Sequence, residues 1–339
     1  MQNGNGKRIL VLGGTGAMGV YLVPELAAMG YKVDVVSLDA IHVIESKDGD
    51  ITYIQANAKD DSSLSEWMRN KYDAIVDFMI YSTEEFSNRY KMMLANTGHY
   101  LYLSSYRVYA HSIPLKEDSA RLLDVSEDRA FLATEDYSLY KAQQEDILRD
   151  SGLPNWTIVR PAVTYSKFRY QLVTLEVDTL LYRAHNNLPV LLPKEALSVQ
   201  ATMSWAGDVA RMLSRLVLNP ATFKEAYTVS SSEHHTWGEV AQFYKEIIGL
   251  EYIAVNTQTY LDLFGPAQVA GARYQLCYDR LFDRIIDNSK ILQVSGLKQT
   301  DFMPLKAGLA NELLKLQKNA VCNESRISQR MSEFLKIHG

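Results

Sequence analysis

Short apolar runs alternate with amphipathic stretches through the first half of the chain, and this alternation predicts strands and helices in turn. Arg8 to Leu12 is the first apolar run, and Val20 to Met29 has the spacing of a helix. Lys32 to Leu38 and Ile51 to Gln55 predict a second and a third strand. Asp60, Asp61 and Ser62 offer caps for a helix through Leu64, Trp67 and Met68. Asp73 to Ile80 is almost continuously apolar, as in strands covered on both faces of a parallel sheet. A helix is expected over Ser87 to Asn96 and a strand over His99 to Ser104. Tyr137 to Ser151 predicts a helix that ends before Gly152 and Pro154, and Trp156 to Arg160 a strand closed by Pro161. Such alternation makes the expected fold α/β, a doubly wound parallel sheet with ligands at the carboxyl ends of its strands.

The second half loses that rhythm. Helices are expected over Phe168 to Asn187, Ala206 to Leu218, Thr236 to Gly249, Tyr260 to Val269, Pro304 to Asn319 and Glu324 to Ile337. One short strand is expected at Ala226 to Val229. The pattern predicts a smaller, mostly helical C-terminal lobe over the carboxyl edge of the sheet. No low-complexity linker or internal repeat separates the two parts, so the lobe should pack on the sheet.

Between the first strand and the first helix lies Val11-Leu12-Gly13-Gly14-Thr15-Gly16-Ala17-Met18-Gly19. A strand, a glycine-rich turn and a helix make a cradle for a diphosphate. The helix N-terminus offers unpaired N–H groups and the positive end of the helix dipole. Gly13 allows the tight turn, Gly16 lets the backbone approach a pyrophosphate, and Gly19 lets helix and strand pack closely. Ala17 and Met18 belong to the same cradle. The spacing is G-x-x-G-x-x-G, not the commoner G-x-G-x-x-G, and a plain tight turn is the alternative. Its place directly after the first strand favours a dinucleotide site.

Composition narrows the class. The 339 residues allow one large domain or a nucleotide domain with a smaller lobe. A hydrophobic fraction of 47% and a charged fraction of 22% are those of an ordinary globular protein. The net charge of -5 argues against a general nucleic-acid binder, which carries a basic face. Two cysteines, Cys277 and Cys322, cannot build a disulfide framework, and a cytoplasmic location is expected. Met1 to Gly6 is short and polar, so no signal peptide is expected. No run approaches the roughly 18 apolar residues of a membrane span. The seven histidines show no metal-ligand spacing, His234-His235 reads as a polar loop, and no metal is expected.

Candidate chemistry lies in Tyr137-Ser138-Leu139-Tyr140-Lys141, where the spacing puts Tyr137 and Lys141 on one face of a helix. A free tyrosine, with a pKa near ~10, is a poor base at neutral pH. A cation beside it favours the phenolate and lowers that value. Near a nicotinamide, such a tyrosine could move a hydroxyl proton while the ring takes the hydride, and Lys141 could also hold the ribose hydroxyls. A surface helix face is the alternative. Ser105, just past the strand His99 to Ser104, stands where a site belongs and could donate to a reacting oxygen. Ser104 competes for that role.

These residues, in this order, resemble the extended short-chain dehydrogenase/reductases, the NAD-dependent epimerase/dehydratase family. The resemblance rests on Gly13-x-x-Gly16-x-x-Gly19, Ser104-Ser105-Tyr106-Arg107-Val108-Tyr109, Tyr137-x-x-x-Lys141 and Arg160-Pro161. Ile113 to Asp118, Gly207-Asp208-Val209-Ala210, Asp287 to Lys290 and Met303 to Leu309 extend it over nearly the whole chain. The resemblance implies a Rossmann-type sheet, NAD as cofactor with NADP possible, and Tyr137 as acid/base with Lys141 as its partner. It implies that Ser105 holds the substrate hydroxyl, that Phe78 and Met79 line the cofactor, and that Asn57 and Ala58 touch the adenine. It also implies a homodimer, with the Tyr137 helix at its interface.

Departures from the family pattern limit what is implied. Dehydratase members usually carry Thr-Asp-Glu where this chain has Ser-Ser-Tyr, so epimerase or plain reductase chemistry is favoured over dehydration. The ribose-binding position at the end of the second strand is Ser37 by spacing, with Asp39 two residues on and no arginine for a 2′-phosphate. Tyr165-Ser166-Lys167 replaces the frequent Tyr-Gly-Pro, and the asparagine many nucleotide-sugar members use nearby is absent. Arg280 and Arg284 could bind a substrate diphosphate near Asp287, or be solvated surface residues.

The expected protein is an NAD(P)-dependent epimerase or oxidoreductase acting on a hydroxyl of a sugar or nucleotide sugar. Alternatives are an NADP-dependent reductase of a small carbonyl substrate, or a non-catalytic cofactor-binding or RNA-binding member of the fold. Residues 1–165 form the expected dinucleotide-binding domain, to which 200–232 return; 166–199 and 233–339 form the expected substrate-binding lobe.

Overall fold

The computed structural model describes Gly4 and residues 6–39, 50–317 and 323–338. Cys322 lies outside them, as do parts of the Met1 to Gly6 segment and the end of the helix expected over Pro304 to Asn319. The first strand, β1 (Arg8–Leu12), shows why the early apolar runs are continuous. Successive side chains of a strand point to opposite faces. Ile9 and Val11 share a core layer with Leu22 and Leu26 of α1 (Gly19–Ala28). Leu10 and Leu12 share the opposite layer with Leu64, Phe86 and Leu148. Both faces are covered, so both sets of positions must be apolar.

The chain continues through β2 (Lys32–Ser37), β3 (Ile51–Gln55), α2 (Asp61–Met68), β4 (Tyr72–Asp77), α3 (Thr83–Ala95) and β5 (Thr97–Leu103). Two short helices, α4 (Leu122–Val125) and α5 (Arg129–Leu132), precede α6 (Tyr137–Asp150) and β6 (Trp156–Pro161). Helix starts follow their caps. Asp60 accepts from Ser63 N–H at 2.8 Å and opens α2. α3 begins at Thr83, before the expected Ser87, because Ser82 and Glu85 form a reciprocal capping box.

Beyond β6 come β7 (Val163–Tyr165), β8 (Gln171–Leu172), β9 (Leu175–Glu176), α7 (Val177–His185), β10 (Val190–Pro193) and β11 (Gln200–Trp205). Then follow α8 (Ala206–Leu216), β12 (Glu225–Val229), β13 (His234–Thr236), α9 (Trp237–Ile248), β14 (Tyr252–Val255), α10 (Thr257–Asp262) and α11 (Val269–Gln275). The last helices are α12 (Ser289–Ser295), α13 (Leu305–Gln317) and α14 (Arg326–His338).

Seven parallel strands form the central sheet in the order β12-β6-β5-β4-β1-β2-β3. Leu12 lies opposite both Val36 and Asp77, so the carboxyl ends of β1, β2 and β4 are level. Strand order runs outward in both directions from β1 and β4, and a crevice opens where it divides. β12 closes one edge against β6, and Val209 and Leu213 of α8 enter the same core layer as α1.

The region after β6 differs from the expected helices in two places. Phe168 to Asn187 is not one helix. It holds the β8–β9 hairpin, and α7 occupies only Val177–His185. Val173 at the hairpin turn has φ +56°, a left-handed conformation that no α-helix contains and that a β-branched residue rarely adopts. Its carbonyl accepts from Arg280 Nε at 2.7 Å, a tertiary contact that local periodicity does not encode. The helix expected over Tyr260 to Val269 is split into α10 and α11 around Gly265, which has φ +72°. Short strand pairings also appear among the helices, β10 with β14 and β11 with both β7 and β13, and they take His234-His235 into a strand.

Candidate active site

β1 delivers the chain to Gly13, whose φ of +74° belongs to the left-handed region. The Gly13 N–H donates to Val36 O at 2.8 Å and ties the turn to β2. A Cβ on Gly19 would collide with the Gly14 carbonyl oxygen, so helix and turn meet there only as glycines. Gly16 differs. A Cβ on it would meet nothing closer than Gly13 O at 3.5 Å, and Gly16 lines a cavity of about 410 Å³. Ala17, Met18 and Gly19 line the same cavity. α1 starts there without a side-chain cap from Met18 and without an acidic residue in its first turn, so its positive end is left for an anion.

The facing wall comes from β5 and α6. Ser104 and Ser105 follow β5, and both line the cavity. Their hydroxyls have different partners. Ser104 Oγ donates to Glu145 at 2.6 Å, and Glu145 is buried in an ion pair with Arg160 at 2.6 Å. Ser105 Oγ accepts from the Arg107 N–H at 3.2 Å and stands beside the Tyr137 phenol. Tyr137 is the first residue of α6, set by an Asp136 cap that accepts from Ser138 N–H at 2.9 Å.

Burial raises the Tyr137 phenol above its ordinary value, while the Arg107 and Arg169 guanidiniums and the Ser105 hydroxyl oppose the rise. The Arg107 guanidinium lies 5.3 Å from the Tyr137 ring centroid. Lys141 sits one turn along α6 and is fully buried. Its Nζ donates to Leu103 O at 2.6 Å and lies 5.9 Å from the Tyr137 ring centroid, and it does not line the cavity. Burial pushes its ammonium down to about 8 against the pull of the Asp77 and Glu145 carboxylates. Arg107 and Lys141 thus both stand near the Tyr137 ring, at 5.3 and 5.9 Å from its centroid.

Arg280 and Arg284 are buried, contrary to a solvated-surface reading, at 3% and 2% exposure. Both pair with Asp279, Arg284 at 3.0 Å, and neither with Asp287, whose carboxylate faces Lys116 at 3.5 Å. Arg280 lines the cavity, and Arg284 stands behind it. Burial works to raise the Asp279 carboxyl, but Arg280, Arg284 and Arg107 outweigh it and hold it below the usual range.

The other expected cofactor residues divide. Phe78 follows β4, donates its N–H to Leu12 O at 3.0 Å and lines the cavity. Met79 packs its sulfur near Gly13, outside the cavity lining. Ser37, Asn57 and Ala58 sit at the carboxyl ends of β2 and β3, also outside it. Ser37 Oγ shares a hydrogen bond with Thr15 Oγ1 at 2.6 Å and donates to Asp39 at 3.2 Å, so an acidic side chain is tethered at the end of β2. Asn57 Oδ1 accepts from Lys59 N–H at 3.0 Å, and Ala58 is buried. The sequence reading assigned no role to Arg107, Arg169, Gln171 or Glu176, which complete the wall. Arg107 was signalled as a charge just past a strand end; nothing local signals the other three.

A nicotinamide dinucleotide fits this cradle, because the Cβ position at Gly16 opens on the cavity at an uncapped helix N-terminus. Among the described residues no helix is long and apolar enough to cross a membrane. A sequence profile described as NAD(P)H-binding matches residues 13–185. The chloroplast stem-loop binding protein of 41 kDa b of Arabidopsis thaliana is 23% identical over 250 residues, which are 70% of this chain and 62% of that protein. The chain thus spans less than two thirds of that relative's length. The UDP-glucose 4-epimerase of Thermus thermophilus, solved with NAD, superposes with a TM-score of 0.67 at 16% identity, over 93% of this chain and 100% of that one. WbmH of Bordetella bronchiseptica, solved with NAD+, superposes with a TM-score of 0.68 at 18% identity, over 93% and 100%. The chain belongs to the NAD(P)H-binding family and has the fold of the extended short-chain dehydrogenase/reductases, the NAD-dependent epimerase/dehydratase group.

Proposed function

We propose that the chain is an NAD(P)-dependent epimerase or oxidoreductase that acts on a hydroxyl of a sugar or nucleotide sugar. The observation that carries this reading is one cavity lined by the glycine cradle on one side and by Ser105 and Tyr137 on the other. Gly13, Gly16, Ala17, Met18 and Gly19 would hold the cofactor diphosphate, with Phe78 beside it and Ser37, Asn57, Ala58 and Met79 toward the adenosine. When bound, the dinucleotide supplies the acceptance and return of hydride. Ser105 holds the substrate hydroxyl by a hydrogen bond. Tyr137 takes the hydroxyl proton as the carbinol becomes a carbonyl, and gives it back in the reverse direction. Lys141, whose Nζ holds the strand end at Leu103 beside Tyr137, would partner the phenolate and the ribose once the cofactor is bound, and Arg280 forms part of the substrate wall. Residues 166–199 and 233–339 would form the substrate lobe around this wall.

The test is a panel of nucleotide sugars added to the protein with bound NAD, read by the absorbance of reduced nicotinamide and by product analysis. At least one sugar should reduce the bound cofactor or be converted to its epimer. Silence across the panel would reject the reading.

A second reading, binding of a nucleic-acid stem-loop, is favoured by the name of the Arabidopsis relative alone. The net charge of -5 weighs against it. Tight stem-loop binding whose affinity falls steeply with salt would establish it.

A further inference from the structure

Four charged side chains line the cavity, Arg107, Arg169, Glu176 and Arg280, and they are not equally free. Arg280 is committed. Its Nε donates to Val173 O at 2.7 Å, its Nη1 to Tyr106 Oη at 2.7 Å and to Asp279, and its Nη2 to Gln171 Oε1 at 3.0 Å. Glu176 accepts from the Gln171 amide. Asp279, 1% exposed, also pairs with Arg284 at 3.0 Å and lies 3.8 Å from Arg107. One carboxylate thus faces three guanidiniums.

Arg107 holds only the outer edge of shared carboxylates. Asp136 is 3.5 Å away and already accepts from the Ser138 N–H at 2.9 Å and Oγ at 2.7 Å. The buried Nε of Arg107 has no hydrogen-bond partner. Arg169 is exposed, and among the described residues no carboxylate stands within ion-pair distance of it. Two under-committed guanidiniums therefore line the cavity with Tyr137, Arg107 over its ring and Arg169 on the same wall, in a chain whose net charge is -5. This positive field is local, and a cavity concentrates it. The diphosphate of the cofactor does not account for it, because that group has its own cradle at Gly13 to Gly19. A sugar that is neutral around its reacting carbinol would leave both cations poorly paired there as it displaced their water.

We propose that the substrate is acidic, with a carboxylate or phosphate within a few bonds of the reacting carbinol, held by Arg107 and Arg169. The inference rests on the reading of Tyr137 as the acid/base. Planar guanidiniums match both oxyanions, and such charge-assisted pairs are stronger than neutral hydrogen bonds. Arg107 lies over the face of Tyr137 and would hold the anion on its free edge, beside the phenol that receives the proton.

The test uses NAD-saturated protein and three ligands on one nucleotide: a neutral hexose, its uronate and its phosphorylated derivative. Calorimetry reads affinity, and nicotinamide absorbance reads reaction. The uronate or the phosphorylated sugar should bind at least about tenfold more tightly than the neutral hexose. Whichever acid prevails identifies the group. Arg107→Gln and Arg169→Gln should each remove most of that advantage, and Arg107→Lys should restore part of it. NAD affinity in the same titrations shows that each variant is folded. Equal affinity for neutral and acidic sugars, with reaction retained, would overturn the acidic substrate and leave the enzyme reading intact. Neither binding nor reduction with any of the three would overturn both.

Discussion

The glycine cradle and the arginine wall face the same cavity and are built on opposite plans. The cradle is contiguous, Gly13 to Gly19, and works through backbone groups at the start of α1 without a charged side chain. The wall draws Arg107 from the loop after β5, Arg169 from the turn after β7, Glu176 from β9 and Asp279, Arg280 and Arg284 from the segment after α11. Arg107, Arg280 and Arg284 depend on one another through one buried carboxylate, that of Asp279. A local backbone device tolerates change elsewhere in the chain. A collective charge device does not, because removing one member leaves the others buried and unpaired. Cofactor binding and substrate recognition can therefore be separated by mutation.

Tyr137, between the two regions, should give the largest effect. Tyr137→Phe keeps the ring and removes the phenolic oxygen, so turnover should fall about 10²–10⁴-fold while NAD affinity holds. Steady-state kinetics on whichever sugar proves active, with calorimetric NAD binding, checks both halves. Wild-type turnover in the variant would remove Tyr137 from the mechanism.

Asp279→Asn tests whether the wall is collective. It takes the only shared counter-charge from Arg280 and Arg284 and should cost about 3–5 kcal/mol of stability. Denaturant unfolding measures it. A loss under about 1 kcal/mol, the scale of a solvated surface pair, would mean that the cluster is hydrated and its members independent.

Gly16→Val probes the cradle in the opposite sense. The protein itself leaves room for a Cβ at Gly16, with Gly13 O the nearest atom at 3.5 Å, so the fold should survive. The added methyls project toward the cavity and should abolish NAD binding. Unchanged NAD affinity in folded variant protein would reduce the glycine turn to a structural feature.

The smallest expected effect is a slope. Lys141 has its ammonium pushed down by burial to about 8, below the value of about 10.4 in an unfolded chain. Between those values the unfolded state binds more protons than the folded one, so this residue makes stability rise with pH. The contribution is about 1.4 kcal/mol per pH unit, starting near pH 8 and fading as the lysine of the unfolded chain deprotonates at pH ~10.4. Lys141→Met should flatten the slope, as read by unfolding at a series of pH values. An identical slope in the variant would show that Lys141 is neither desolvated nor coupled to the site.

Amino-acid order alone determined the parts that are local or periodic. The inner strands of the sheet were legible because burial on both faces forces apolar runs such as Ile9 to Leu12, whereas β3, half-exposed at the edge, was legible as a short apolar-rich run. The cradle was legible because a turn needs its glycines within a few residues of each other. Tyr137 and Lys141 were legible because helical spacing puts them on one face. Tertiary structure alone decided the rest. The β8–β9 hairpin exists where a helix was expected because Val173 is held in a left-handed conformation with its carbonyl on Arg280, more than a hundred residues away, and such a contact leaves no periodic trace. Partners distinguish Ser104 from Ser105 in a way the sequence did not, since Ser104 donates to Glu145 and Ser105 does not. The fold also placed Arg107 over the Tyr137 ring, in addition to Lys141. Charge pairing depends on distance in space, and Arg107 and Asp279 become neighbours only in the folded chain.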